Sequence, residues 1–171
     1  MADSVTDVLS GTIRTVMTWE RTDGQEIGSY VNAKTIFTDY PITDGSGVGQ
    51  ADLVFADSRT VAAGVMEEFD LTSLTQTTLG TSVPFAFAQV RCIKIRNTAT
   101  VTGRRLLIGV APGAPTSIYA AEVGPGSEWF AINYRDAWDV TADNKIFRLS
   151  NPSGAAVTYE LYIFGTAVAP S

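Results

Sequence analysis

Phe87-Ala88-Gln89-Val90-Arg91-Cys92-Ile93-Lys94-Ile95-Arg96-Asn97 is the stretch whose reading decides the fold. Apolar and β-branched residues fall on both of its faces, as in a strand placed centrally in a sheet. Thr98 to Gly103 makes a turn after it, and Arg104 to Val110 reads as the next strand. Ala111-Pro112-Gly113-Ala114-Pro115 breaks that run. Further strands are expected at Ser117–Val123, Ser127–Tyr134, Lys145–Ser150 and Thr158–Gly165. Their connections are Gly124-Pro125-Gly126, Asp136–Asn144 and Asn151-Pro152-Ser153-Gly154.

Upstream the signal is less uniform. Leu71 to Pro84 is a threonine-rich crossover with little periodicity. In Gln50 to Asp70, the residues Val61, Ala62, Val65 and Met66 fit one helical face, with Ser58 as N-cap. Gly64 in the middle and Phe69 at the end fit a helix poorly, so two short strands are favoured. Asp39 to Gly49 is a glycine-rich loop, the most flexible-looking part of the chain. Before it, Ile27 to Thr38 and Leu9 to Trp19 read as strands, the latter with Ile13, Thr15, Met17 and Trp19 on one face. Asp23-Gly24 is the turn signal between them. About ten strands at roughly 8–15-residue spacing, without alternating helices, predict an all-β fold: an antiparallel β-sandwich, jelly-roll-like. Residues 50–171 form the sandwich in this reading. Residues 1–49 contribute strands, a candidate arm and the glycine-rich loop, within one compact domain overall.

Composition narrows the function. The chain has 171 residues, enough for one domain that buries roughly 70% of its unfolded surface. Its net charge of −6 argues against nucleic acid or an anionic membrane as partner. No apolar run approaches the ~20 residues of a membrane helix. The opening Met1-Ala2-Asp3-Ser4 is unlike a secretory leader. Cys92, the single cysteine, has no partner for a disulfide within the chain, which fits synthesis in a reducing cytosol.

Without histidine there is no Ser-His-Asp or Cys-His arrangement and no imidazole ligand. Glu67, Glu68 and Asp70 are the densest acidic group. In a strand, Glu68 and Asp70 share one face and Glu67 points away. A paired-carboxylate or divalent-cation site is weighed there against a solvated strand edge, and the edge is preferred. Asp39 and Asp44 flank Gly45-x-Gly47-x-Gly49, which lacks both the Gly-Lys-Ser/Thr ending of a phosphate loop and EF-hand ligand spacing. The chain is therefore read as no enzyme, with no catalytic residues, no metal and no cofactor.

From Gln50 the residues form an ordered pattern. Asp57-Ser58-Arg59-Thr60-Val61-Ala62-Ala63-Gly64 leads to Phe69-Asp70-Leu71, then to Phe87-Ala88-Gln89-Val90 and Ile93-x-Ile95-x-Asn97-Thr98. Pro125-Gly126-Ser127, Ile146-x-x-Leu149-x-Asn151 and Thr158-Tyr159-x-x-x-Ile163-x-Gly165 complete it. Over Gln50 to Gly165 the chain resembles small all-β virion structural proteins of tailed bacteriophages, of the head-decoration or minor capsid type. The individual motifs are short, and their order carries the resemblance.

The resemblance implies a capsid decoration or cement subunit on the capsid exterior, made in the bacterial host cytoplasm. It further implies a homotrimer whose partners are the major capsid protein and itself. A tail, head-tail connector or fibre component is the alternative. Arg14, Arg91, Arg96, Arg104 and Arg105 are the candidate interface cations, expected to pair with carboxylates on neighbouring subunits. Trp129, Tyr134 and Trp138 are the candidate interface aromatics, with Trp138 expected in an exposed loop. The same three aromatics would be the stacking platform of a carbohydrate-binding module, the further alternative.

Overall fold

The computed structural model describes residues 9–25, 28–78, 81–109 and 121–168, and every regular element among them is a β-strand. In chain order these are β1 (Gly11–Gln25), β2 (Gly28–Ile42), β3 (Leu53–Val61), β4 (Met66–Asp70), β5 (Leu74–Thr78), β6 (Thr81–Phe85) and β7 (Phe87–Asn97). They continue with β8 (Leu106–Gly109), β9 (Ala121–Val123), β10 (Glu128–Ile132), β11 (Trp138–Asp139), β12 (Ile146–Ser150) and β13 (Val157–Ala167).

Two sheets build the sandwich. One has the order β10-β7-β13-β3, with β11 also pairing β7; the other has the order β4-β12-β8-β9. All pairings are antiparallel. They are also nested. β3 pairs β13, β4 pairs β12, β7 pairs β10, and β8 pairs β9, so early strands find late ones while successive pairs alternate between sheets.

Period-2 alternation explains the core. On β13, Val157, Tyr159, Leu161 and Ile163 turn inward and are buried, while Thr158, Glu160, Tyr162 and Phe164 turn outward. Ile93 and Ile95 of β7 and Phe55 of β3 join them from the same sheet. Phe69, Leu106, Ile108, Val123, Phe147 and Leu149 face them from the other. Burying a side chain of this size contributes ~1.5–3 kcal/mol, and these stacked residues are the main stabilising term.

Several expectations give way here. Leu71–Pro84, expected as a crossover with little periodicity, holds two strands: β5 and β6 form an antiparallel hairpin, with Leu74 buried in the core. It lies beside β3, where Gln76 Nε2 donates to Ala56 O at 2.6 Å and helps cover that sheet edge. Asp23-Gly24 is not the turn. Asp23 pairs Tyr30 and Gly24 pairs Ser29 within the ladder, so β1 and β2 run further than their apolar pattern. Gln50–Asp70 does form two strands, β3 and β4, joined through Gly64 at φ +69°. The strand expected at Ser117–Val123 is described only from Ala121, since residues 110–120 lie outside the described residues.

β1 and β2 form a separate two-stranded sheet, a ribbon of 15 residues per strand. At ~3.3 Å per residue it is about 50 Å long. Its base rests on the sandwich. Tyr134 Oη donates to Pro41 O at 2.5 Å, and the Tyr40 and Tyr134 rings meet at 5.4 Å.

Candidate functional site

Arg91 anchors the region from which the ribbon departs. It is only 3% exposed, and its guanidinium donates to four backbone carbonyls: Gln50 (2.6 Å), Gly47 (2.7 Å), Tyr134 and Arg135 (both 3.1 Å). Those acceptors belong to the glycine-rich loop and to the turn after β10. The loop is therefore clamped, contrary to its flexible-looking composition. Gln50 Oε1 adds to this by accepting from Gly47 N at 2.8 Å. Gly49, at φ +70°, is buried where a Cβ would meet Tyr134 Oη at 2.7 Å.

Beyond the base, the ribbon carries apolar residues on both faces. Val16 pairs Phe37 on one face, and Met17 pairs Ile36 on the other. Their exposures are 59%, 65%, 58% and 43%, so none of the four is buried, although Val16 lines the cleft that faces the sandwich. On the Val16 face, Arg14 Nε and Nη2 grip the Asp39 carboxylate of the opposite strand at 2.6 and 2.8 Å. That bond, ahead of simple charge attraction, raises the Arg14 pKa. Asp39 is lowered by the same bond, against a smaller opposing effect of desolvation.

Between the ribbon base and the outer face of β10-β7-β13 lies a cleft of about 660 Å³. Its floor has an apolar part of Cys92, Phe130 and Phe164, and a charged part of Lys94, Arg96, Glu128 and Glu160. The charges interleave across strands: Lys94 meets Glu128 at 3.0 Å, and Arg96 lies 3.8 Å from Glu128 and 3.6 Å from Glu160. The ladder is neutral, and its exposed pairs contribute little to stability. Their effect is to fix a pattern of charge on a flat surface. Burial raises the Tyr162 hydroxyl pKa, with Glu160 beside it adding to the shift. Cys92 is pushed up to about 12 by burial, only partly opposed by Lys94, so it is a neutral thiol.

The expected interface residues do not form one site. Arg14 and Arg96 border the cleft. Arg91 spends its donors inside the molecule, so it presents no guanidinium to a neighbour. Arg104 donates to Ala156 O at 3.0 Å, and exposed Arg105 lies 3.5 Å from Glu122 on β9. Trp129 points inward and stacks on Phe147, with ring centroids 6.5 Å apart. Trp138 sits on β11 and packs against the core instead of standing in an exposed loop. Tyr134 is tied to Pro41. The three aromatics therefore share no exposed stacking platform.

The acidic group is likewise dispersed. Glu68 pairs with Arg148 (Nε at 2.6 Å), Asp70 with Lys145 at 2.6 Å, and Glu67 accepts from Tyr159. Burial pushes the Asp70 pKa up, but hydrogen bonds from Lys145 and Thr72 outweigh it and hold the group below its ordinary value. Among the described residues no cluster of His, Cys, Asp and Glu could hold a metal ion.

Sequence reasoning missed Arg59. It lies over Phe69 and Phe55, 5.1 and 6.0 Å from their ring centroids, and pairs with Asp57 at 2.6 Å. Asp57 and Arg59 at i and i+2 point to one face, a signal the apolar pattern obscures. The Tyr159 hydroxyl pKa is raised strongly, first by burial and then by Glu67. Comparison with protein-family models, with curated proteins and with solved structures finds no match to this chain.

Proposed function

We propose that the chain is a non-enzymatic virion structural protein of a tailed bacteriophage, a decoration or cement subunit that stabilises the head shell from outside. The observation that carries this reading is the ribbon with apolar residues on both faces, standing beside a sheet face of neutral, interleaved charge. Such a pair of surfaces suits protein–protein contact: apolar side chains supply burial, and patterned charges set register and reject wrong partners. A standard specific interface buries ~1,600 Å² in total, and repetition over many copies makes the collective stabilisation of a shell large.

The nested pairing supports reading the sandwich as a jelly roll, because a long antiparallel hairpin rolled into two sheets produces such alternation. The ordered resemblance over Gln50–Gly165 supports the phage assignment, and with it the homotrimer and the major capsid protein as partner. The acidic net charge fits a position away from packaged DNA.

The test is co-sedimentation of purified protein with expanded, undecorated capsids, paired with mass spectrometry of purified virions. Saturable capsid binding and high copy number per virion are the expected results. A low copy number would assign the chain to a connector or fibre instead. Absence from both capsids and virions would sink the proposal.

A further inference from the structure

We infer that the cleft under the ribbon is a docking site for an extended polypeptide segment, which adds as a strand to the edge of β1. The inference rests on the reading of this surface as one of protein–protein contact, and names the chemistry of what it contacts. Thr12, Ile13, Arg14, Thr15 and Val16 all line the cleft, although successive side chains of a strand point to opposite faces. Among the described residues none of β2 lines it, even though Asp39 and Phe37 share a face with Arg14 and Val16. An edge of β1 turned to the cleft accounts for both observations; a face turned there would bring β2 along. Among the described residues β1 pairs with β2 alone, so on its other side every second residue leaves its N–H and C=O without a strand partner. About 16 Å of this edge faces the cleft. The volume of about 660 Å³ falls within the ~300–1,000 Å³ of sites that enclose a ligand.

The floor defines the chemistry of the occupant. Antiparallel register sets its outward side chains in rows that run across β10, β7 and β13. Cys92 stands beside Phe164 in the first row, Lys94 lies between Phe130 and Tyr162 in the next, and Arg96 lies between Glu128 and Glu160 in the last. Rows are ~6.6 Å apart, so the floor passes from apolar to charged within ~13 Å. Lys94 and Arg96 stand there against Glu128 and Glu160, and the charges cancel. Arg96 is 3.6 and 3.8 Å from its carboxylates, beyond good hydrogen-bond distance, and its side chain is half exposed. Its planar donors can therefore take a further carboxylate, and half-exposed Glu128 a further cation. A nucleic acid, an anionic lipid surface or a uniformly charged segment meets like charge on half of these groups. The matching occupant is a short extended segment, apolar at one end and carrying one acidic and one basic side chain at the other. The strand edge supplies affinity through its backbone, and the rows select the sequence.

Selection of a random heptapeptide display library on the immobilised full chain tests this, with the Arg96→Glu protein as counter-target. Enriched peptides should hold an apolar residue followed by one acidic and one basic residue at alternating positions. The variant should keep the wild-type far-UV spectrum and melting temperature, and bind the selected peptides about tenfold or more weakly. The best peptide is then resynthesised with N-methyl groups on its odd or on its even amides. One series should lose about tenfold or more and the other little, because alternate amides of a strand face one neighbour. Absence of enrichment overturns the inference, as do peptides of uniform charge, wild-type binding by Arg96→Glu, or equal effects of the two methylations. Should Arg96→Glu fail to fold, the methylated pair decides, since it needs no variant. Self-association that Arg96→Glu abolishes would make a second copy the occupant and overturn the inference too. Peptide binding by a protein that ignores capsids would remove the proposed function and leave this inference intact. Capsid binding without peptide binding would do the reverse.

Discussion

Arg91 and Gly165 are the residues at which the fold tolerates least. Replacing Arg91 by Met leaves four carbonyls without their donor in a buried site, at a cost of about 2–4 kcal/mol in urea unfolding. Lysine should not rescue it, because one ammonium cannot span four acceptors on two segments. A Cβ on Gly165 would come within 2.0 Å of Gln89 O, where the β13–β7 register shifts. Gly165→Ala should therefore destabilise by about 2 kcal/mol or more, whereas Gly154→Ala, which meets nothing within 4 Å, should stay within about 0.5 kcal/mol. Asp70 supplies a pH signature. Its folded pKa is depressed, so its contribution is complete above the unfolded value of about 3.9 and is lost as pH falls through the lower folded value. In acid titrations followed by circular dichroism, Asp70→Asn should lower stability at pH 7 and flatten the decline below about pH 4.

At the scale of elements, Cys92 reports on the ribbon's attachment. Buried and held as a neutral thiol, it should resist alkylation at pH 8 in the native protein and react on unfolding. It lines the cleft under the ribbon base, so Tyr134→Phe, which removes the bond to Pro41, should speed labelling if the base opens more often. Intact-mass spectrometry over a time course gives both rates. Strands buried on one or both faces were legible because alternation is a local property: β7, β10, β12 and β13 lie where their residues place them. β5 and β6 were not legible. Threonines dominate β5, Pro84 interrupts β6, and the hairpin is held by β3, some twenty residues upstream, through contacts such as Gln76 to Ala56. The same limit applies to Arg91, whose four acceptors come from segments over forty residues away. Asn97 and Asn151 are a third case. Asn97 closes a strand and Asn151 opens a turn in the sequence, and neither place signals burial; yet both are buried, Asn97 donating to Arg104 O and Val123 O, and Asn151 to Val61 O, Ala62 O and Ala155 O.

For the molecule as a whole, nesting makes the last strand indispensable to the first. β13 is central between β7 and β3, so truncation after Ala156 removes both pairings and the Tyr159, Leu161 and Ile163 side chains together. We expect that fragment to be insoluble or unfolded by circular dichroism, and intact folding to be slow, in the millisecond-to-second range, because its pairings are far apart in sequence. The nesting also has a consequence for engineering. Asp52 N donates to Gly165 O and Ala167 N to Asp52 Oδ1, so the sandwich begins and ends at one spot, beside the glycine-rich loop that carries the ribbon. The sandwich can thus be reconnected there and opened elsewhere, for instance at the exposed turn around Gly103, without altering its layers. A peptide meant for display belongs at that turn; one fused after Ala167 would emerge at the ribbon's root and compete with it for space.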